Sequence, residues 1–420
     1  LGHTLRIEEA TLRPDSQSVA GTGRSVSPQI HASVPEIRLT GFHWWAFLWG
    51  QELILSGVTV LRPRVEVQMR PGADGEAPLA VDSRAEDRGS LPGLQVDQFQ
   101  VEDGTLTRTR SDAPPTDSLW GLSMRFDSLS TDSPAGQSSR TYLMNRFAAA
   151  TFAGYRRAVA GKPYVLRLGA GQASRRDSLL RVREIQFTPT VTDEAFVRRH
   201  QYRVNRFHTQ ANRVEAVGLD FASLVEEGAL HAATLRVDTL LLNVYRDNHR
   251  PERPNDPPPP MPQDVVEALD RSLRIDTLQV RDSRIRYTKR PEGVSKTGSI
   301  SFDDLWASVY NVTTDPERMT AATPVVIEAL TRVNGAGRLH TTLRIPLRAP
   351  HLALSFEGCL GAMDPRGLNE TFVPLGGVRV ESGHVDSLWF QATVKNGVAE
   401  GSVGRSEEHT SELQSPSAIS

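Results

Sequence analysis

Leu273 to Tyr287 is LRIDTLQVRDSRIRY, and the spacing of its apolar residues decides how the remainder of the chain folds. Apolar and polar residues alternate, with Leu273 and Ile275 on one face, as in a half-buried strand. The phase slips at Asp276-Thr277 and resumes at Leu278 and Val280, which predicts a strand carrying a β-bulge there. The same phrase recurs: Leu94 to Arg108, LQVDQFQVEDGTLTR, aligns without gaps, placing Leu94, Asp97, Gln100, Val101 and Asp103 on Leu273, Asp276, Gln279, Val280 and Asp282. Partial copies begin at Leu53 (LILSGVTVLRPRVEV), Leu180 (LRVREIQF) and Leu235 (LRVDTLLL). Such self-similarity predicts a mainly β array with a few short helices.

A longer repeat surrounds these phrases. Gly218 to Val237 follows the layout of Ile37 to Val67, setting Phe221 on Trp44, Leu224 on Phe47, Leu230 on Leu53, Leu235 on Val58 and Val237 on Val60. Both stretches predict a short helix, stopped near a glycine, that feeds a strand. The aromatic cluster Trp44, Trp45, Phe47 and Trp49 is expected to cap the end of a hydrophobic sheet rather than to plug a membrane interface, because aromatics mostly bury area.

Between the strands the chain is punctuated by turn residues. Arg70 to Gly93, Ser111 to Ser118 and Thr131 to Ser139 have loop composition, and Asp103-Gly104, Asn334-Gly335 and Asn396-Gly397 are hairpin signals, with Gly383 a further candidate. Thr141 to Ala160 is the best helix candidate, ended by Gly161 and Pro163. Arg250 to Pro262, RPERPNDPPPPMP, predicts an extended linker between an N-terminal part (1–249) and a C-terminal part (263–404), with a short helix at Gln263 to Leu273. Ser299 to Val312, Pro324 to Leu330, Arg338 to Leu347, His351 to Phe356, Val378 to Val394 and Val398 to Val403 all alternate, so the last third is expected to be close to pure antiparallel β.

Composition narrows the function classes. With 48 Lys+Arg against 50 Asp+Glu and scattered basic residues, the chain has no electrostatic footprint for nucleic acid. Cys359 is alone, so there is no disulfide framework and no thiolate metal site, and a packed side chain is expected. The most apolar run, Phe42 to Trp49, falls far short of the roughly 20 residues of a transmembrane helix. The chain opens at Leu1 without a methionine and in the middle of a strand-like pattern, LRIEEATL, and Arg405 to Ser415, RSEEHTSELQS, resembles the in-frame translation of a sequencing adapter. A fragment is therefore expected, with residues 405–420 an artefact.

No catalytic constellation stands out. Gly154 to Lys162 has glycines too widely spaced for a phosphate loop, with Pro163 where Ser or Thr should hold magnesium; Gly169-Ala170-Gly171 lacks a third glycine. His200 and His208 have no carboxylates at metal spacing. Asp97, Asp238 and Asp276 are expected to bond local backbone. No catalytic residue, metal or cofactor is expected. What remains is surface: if the repeats pair side by side, Leu273, Ile275, Leu278, Val280, Ile285 and Tyr287 join Leu94, Val96, Phe99 and Val101, Leu53, Leu55, Val58 and Val60, and Leu235 and Val237 in one apolar face. A sandwich would bury that face under a second sheet, whereas an open curved sheet would leave a trough for acyl chains. Alternation admits both.

At this level the sequence resembles the AsmA-like family of bacterial envelope proteins, in its long Bacteroidota-type members. The resemblance rests on LRVDTLLLNVYRD, the proline-rich run, MPQDVVEALDRSLRIDTLQVRDSRIRY and GSISFDDLWASVYNVT within Leu235 to Thr313, on Pro63 between the strands of Leu53 to Val67, and on AFVRRHQYRVNRF before VEAVGLD in Ala195 to Asp220. It implies an elongated, curved antiparallel sheet, the repeating β-groove. It also implies an inner-membrane anchor N-terminal to this fragment, a periplasmic location and phospholipid as the bound partner, in support of outer-membrane lipid homeostasis. The alternative is a periplasmic assembly factor whose sheet binds outer-membrane or periplasmic proteins instead.

Overall fold

The computed structural model describes residues 4–13, 29–43, 53–69, 93–110, 116–131, 139–254, 272–320, 322–347, 353–395 and 398–406. These residues are mainly β, with 21 strands in a mixed sheet and a few short helices. The chain divides into two compact units, Leu1–Val182 with Phe221–Glu226, and Arg183–Asp220 with Glu227–Ser420.

In the first unit β1 (Thr4–Leu12), β2 (Gln29–Thr40), β3 (Leu53–Leu61), β4 (Arg64–Met69), β5 (Leu94–Arg110) and β6 (Asp117–Ser130) lead through α1 (Ser139–Arg146) to the shorter strands β7 (Phe147–Phe152), β8 (Gly154–Ala158), β9 (Tyr164–Leu168) and β10 (Gly171–Ser174). β11 (Leu179–Pro189) follows. The second unit continues with α2 (Asp193–Arg199) and β12 (Asn205–Val217); α3 (Phe221–Glu226), which groups with the first unit, comes next. It then holds β13 (Leu230–Asp238), β14 (Leu241–Asp247), β15 (Leu273–Arg290), β16 (Gly298–Thr313), β17 (Val325–Val333), β18 (Gly337–Ile345), β19 (Ala353–Leu360), α4 (Asn369–Gly376), β20 (Ser387–Lys395) and β21 (Val398–Ser406).

The sequence repeat is a structural repeat with one register. β3 pairs in parallel with β5, Leu53 beside Leu94 and Val60 beside Val101, while β13 pairs in parallel with β15, Leu230 beside Leu273 and Val237 beside Val280. β4 and β14 continue the parallel ladders, Arg64 beside Thr105 and Leu241 beside Arg284. β2 crosses both β3 and β4 antiparallel, as β12 crosses β13 and β14. The sheet is therefore mixed rather than wholly antiparallel. The parallel ladders arise because each return from β4 to β5, or from β14 to β15, is a long crossover rather than a hairpin. The proline-rich run thus lies between two strands that pair within one unit.

Several expectations are corrected by the pairing. Asp103-Gly104 does not turn a hairpin: β5 runs straight through it, with Asp103 at φ 52° and the register to β6 shifting between Val101 and Gly104. Asp-Gly suits any site needing positive φ, and here that site is a bulge. Its counterpart is Asp282, at φ 47°, where the register shifts between Val280 and Ser283. The bulge expected at Asp276-Thr277 thus falls further along the strand. At Asp276 and Asp97 the flanking ladders miss a pair without gaining a residue, and Asn311 and Ser128 opposite them have φ of 64° and 56°.

The helix expected over Thr141 to Ala160 stops at Arg146, because Phe147 to Phe152 is captured by β6 and β10. Cross-strand pairing overrides the helical propensity of the alanines there. α4 was not foreseen, since Pro374 lies inside it, although Gly377 at φ 65° closes it in the usual way. Gly383 makes no hairpin; Val378 to Asp386 is not strand, apart from the bridge of Val385 to Met363. Asn334-Gly335 does turn β17 into β18, and Lys395 pairs with Val398 around Asn396-Gly397. The strand expected at LRIEEATL is β1, and α3 is the helix expected in the second repeat. Trp44 to Trp49, residues 263–271 of the helix expected at Gln263 to Leu273, and residues 407–420 lie outside the described residues, while Leu273 already opens β15 and Arg405 and Ser406 pair in β21 with Leu388 and Ser387.

Asp282→Val should lower stability by about 1–2 kcal/mol, because a β-branched residue is strained at positive φ, whereas Asp282→Gly should be neutral or stabilising. Urea midpoints of the two variants check this, and a valine as stable as the parent would contradict it.

Candidate functional site

Side chains paired across a ladder project to the same face, so registers trace rows over the sheet. In the second unit one row runs Ala216, Leu235, Leu278, Val309, Ile327, Leu343, Phe356, Ala392, Gly401, from β12 through β13 and β15 to β21. Two residues along, a second row runs Val214, Val237, Val280, Ala307, Ala329, Thr341, Gly358, Phe390, Val403. The residues between them, Glu215, Arg236, Gln279, Ser308, Glu328, Thr342, Glu357, Gln391 and Ser402, point to the opposite face and all are polar. Along these three rows apolar and polar residues therefore fall on opposite faces across nine strands.

The first unit repeats the pattern. Leu5, Leu39, Val58, Phe99, Phe126 and Phe147 form one row, and Ile7, Ile37, Val60, Val101, Met124, Ala150, Ala173 and Leu180 the next. The rings of Phe99, Phe126, Phe147 and Phe221 follow one another at centroid distances of 6.2, 5.9 and 5.8 Å, which joins α3 to that row. Edge and tilted geometries of this kind are favourable beyond the area they bury.

Of the residues expected to line an apolar face, Val58, Val60, Phe99 and Val101, and Leu235, Val237, Leu278 and Val280, are brought together in these rows and are all partly exposed. Ile285 and Tyr287 lie past the bulge beside Leu242 and Val244. A Cβ placed on Gly104 would sit 3.5 Å from Val101 Cγ1, so the bulge keeps positions before and after it on one side. Leu53, Leu94 and Leu273 lie at the far end, in register with their repeats. Leu55, Val96 and Ile275, at 2, 3 and 4 % exposure, are core and offer a ligand nothing. The alternation of β17 to β21 was legible, but which of its residues extend the rows was not.

The bulges are held by polar side chains. Ser283, nearly fully buried, donates Oγ–H to Arg281 O at 2.7 Å and accepts Leu240 N–H at 2.9 Å. Thr331, also buried, donates to Asp303 O at 2.8 Å, and Asp303 pairs with Arg284. Asp238 bonds Arg213 Nε at 2.7 Å and Asp276 lies 3.6 Å from Arg274, so both meet arginine rather than the backbone contact expected.

Titratable groups with shifted character lie away from the apolar rows. Burial pushes the Asp247 carboxyl up, but the His249 backbone N–H at 2.9 Å, its ring at 3.0 Å and Arg290 at 3.6 Å outweigh this and hold it below the usual range. The Arg366 side chain and its backbone N–H pull Asp364 to about 2. His200 meets Phe196 O and His208 meets Gln210; no group of three metal-binding side chains occurs among the described residues. Cys359 is exposed, not packed as expected, because it sits on the polar face beside His340 and Trp389. No helix of the described residues is long and apolar enough to cross a membrane.

No protein-family model matches this sequence, and no curated protein matches it either.

Because its folded pKa is depressed, Asp247 should stabilise the fold above the unfolded carboxylate value of about 3.9 and lose that contribution as pH falls through the folded value. Asp247→Asn should therefore lower the urea midpoint at neutral pH and have little effect in strong acid; equal losses at both would refute this.

Proposed function

We propose that this protein is a non-enzymatic lipid carrier whose apolar rows take the acyl chains of phospholipid. One observation carries the proposal. In the second unit two adjacent rows, apolar except for Thr341, cross nine strands without a titratable side chain, and their members from Leu235 and Val237 to Phe356 and Phe390 stay partly exposed, with Val309 and Ile327 packing against the buried cluster of Met319, Val325, Ile345 and Leu347. A sheet with an apolar face ordinarily covers it, and an acyl chain is a cover that leaves no polar group unsatisfied.

The magnitudes fit. At about 4.8 Å between strands, nine strands span on the order of 38 Å, against about 15 Å for one leaflet's share of bilayer hydrocarbon. Each methylene laid on the rows is worth about 0.8 kcal/mol, so one chain gains enough to remain bound while contacts stay non-directional and allow sliding. The resemblance to AsmA-like proteins points the same way and supplies the setting: a periplasmic protein, held to the inner membrane by its full-length form, that supports outer-membrane lipid homeostasis.

Purified protein should retain phospholipid, detected by organic extraction and mass spectrometry. Val280→Asp should reduce it several-fold by placing a carboxylate in the apolar row. Gln279→Asp should not, since Gln279 is on the other face, with Oε1 3.3 Å from Arg236 and 2.8 Å from Arg281. Lipid-free protein, or equal loss in both variants, would overturn the proposal; a retained peptide in place of lipid would favour the assembly-factor alternative.

A further inference from the structure

The polar face of β16 to β20 carries an apolar stripe that the lipid proposal does not use. Trp306, Leu330, His340, Cys359 and Trp389 occupy one row across five strands, with Trp306, Leu330 and Trp389 at 47, 50 and 50 % exposure. Arg281 lies 6.0 Å from the Trp306 ring centroid, and a shallow depression of about 240 Å³ opens beside Trp306, Leu330 and His340. Large side chains so exposed in one line differ from single surface hydrophobics, which need no explanation.

The flanks of the stripe have opposite charge. Two residues to one side, on the same face, lie Glu328 and Glu357; two residues to the other lie Arg332 and Arg338. Arg332 reaches Asp304 and Glu357 is 2.8 Å from Arg344, but among the described residues neither Glu328 nor Arg338 has an ionic partner. A polyanion would meet the acidic flank and a polycation the basic one. A surface with both flanks in mirrored order is matched by itself.

We propose that this face joins two copies of the chain. A two-fold axis lying in the interface along the stripe sets each stripe residue on its own counterpart and turns the acidic flank of one copy onto the basic flank of the other. Arg338 of the second copy then falls between Glu328 and Glu357 of the first. The strands of the two sheets run antiparallel, which is the aligned mode of sheet packing. Three half-exposed apolar side chains per copy make a small interface, below about 1,200 Å² in total, so the association is weak and concentration-dependent.

Sedimentation of the whole chain over a concentration series tests this independently of lipid content. The parent should dimerise, and Trp389→Ser should be monomeric over the same range. Glu328→Arg alone and Arg338→Glu alone should each weaken self-association by about tenfold or more, and an equimolar mixture of the two should restore it, because each variant then meets the flank it lacks. Circular dichroism and extracted phospholipid should match the parent in all three, which separates loss of the interface from misfolding and from failure of the lipid proposal. A parent monomeric throughout, or charge variants that do not complement on mixing, would overturn the interface.

Discussion

The fold depends on one constraint: side chains of the apolar face must meet one another across neighbouring strands, rung after rung. In a strand a slip of one residue moves every later side chain to the opposite face, so a phase change in one strand has to be answered by a change on the neighbouring strand at the same rung. The structure meets this with residues at positive φ placed across the sheet. Arg62, Asp103 and Gly121 mark one such line, and Thr239, Asp282 and Asp304 mark its repeat. Around them Val101 pairs with Met124 and Leu106 with Leu119, while Val280 pairs with Ala307 and Ile285 with Phe302. Asp and Gly fill four of these six positions because they adopt the left-handed region at low cost.

That constraint explains which features were legible in the sequence. The repeat between Leu94 and Leu273 is plain in the sequence because the strands that carry it are long and keep the same apolar spacing through both slips. Which slip adds a residue could not be seen, since Asp276-Thr277 and Asp282-Ser283 look alike until β16 supplies the partner, where Asn311 and Asp304 absorb them differently. Asp103-Gly104 misled for the same reason: the dipeptide reports positive φ, not whether the chain reverses. Phe147 to Phe152 is strand only because β6 and β10 are there to receive it. Alternation tells which residues share a face, yet Leu55, Val96 and Ile275 belong to the core, and depth is a property of neighbours rather than of spacing.

The two faces divide the chemistry. Carboxylates and guanidinium groups pair on the polar face: Arg332 with Asp304 at the surface, Arg213 with Asp238, and the buried Glu215 with the exposed end of Arg236. Such pairs contribute little net stability at the surface, but they hold the polar face in hydrogen-bonded order. The apolar rows stay partly exposed while the core lies beside them at residues such as Leu55, Val96 and Ile275, and aromatic contacts from Phe99 to Phe221 and between Phe356 and Phe390 join neighbouring elements.

The parallel ladders of β3 to β5 and β13 to β15 also set the order of assembly. Each forms only after residues 70–93 or 248–272 have been spanned, so the closing of a long loop precedes the contacts that reward it. Antiparallel neighbours such as β17 and β18 face no such delay. β13 and β14 therefore emerge with one edge vacant until β15 has been made, so in each repeat the unpaired edge of the earlier strands is filled from within the same unit.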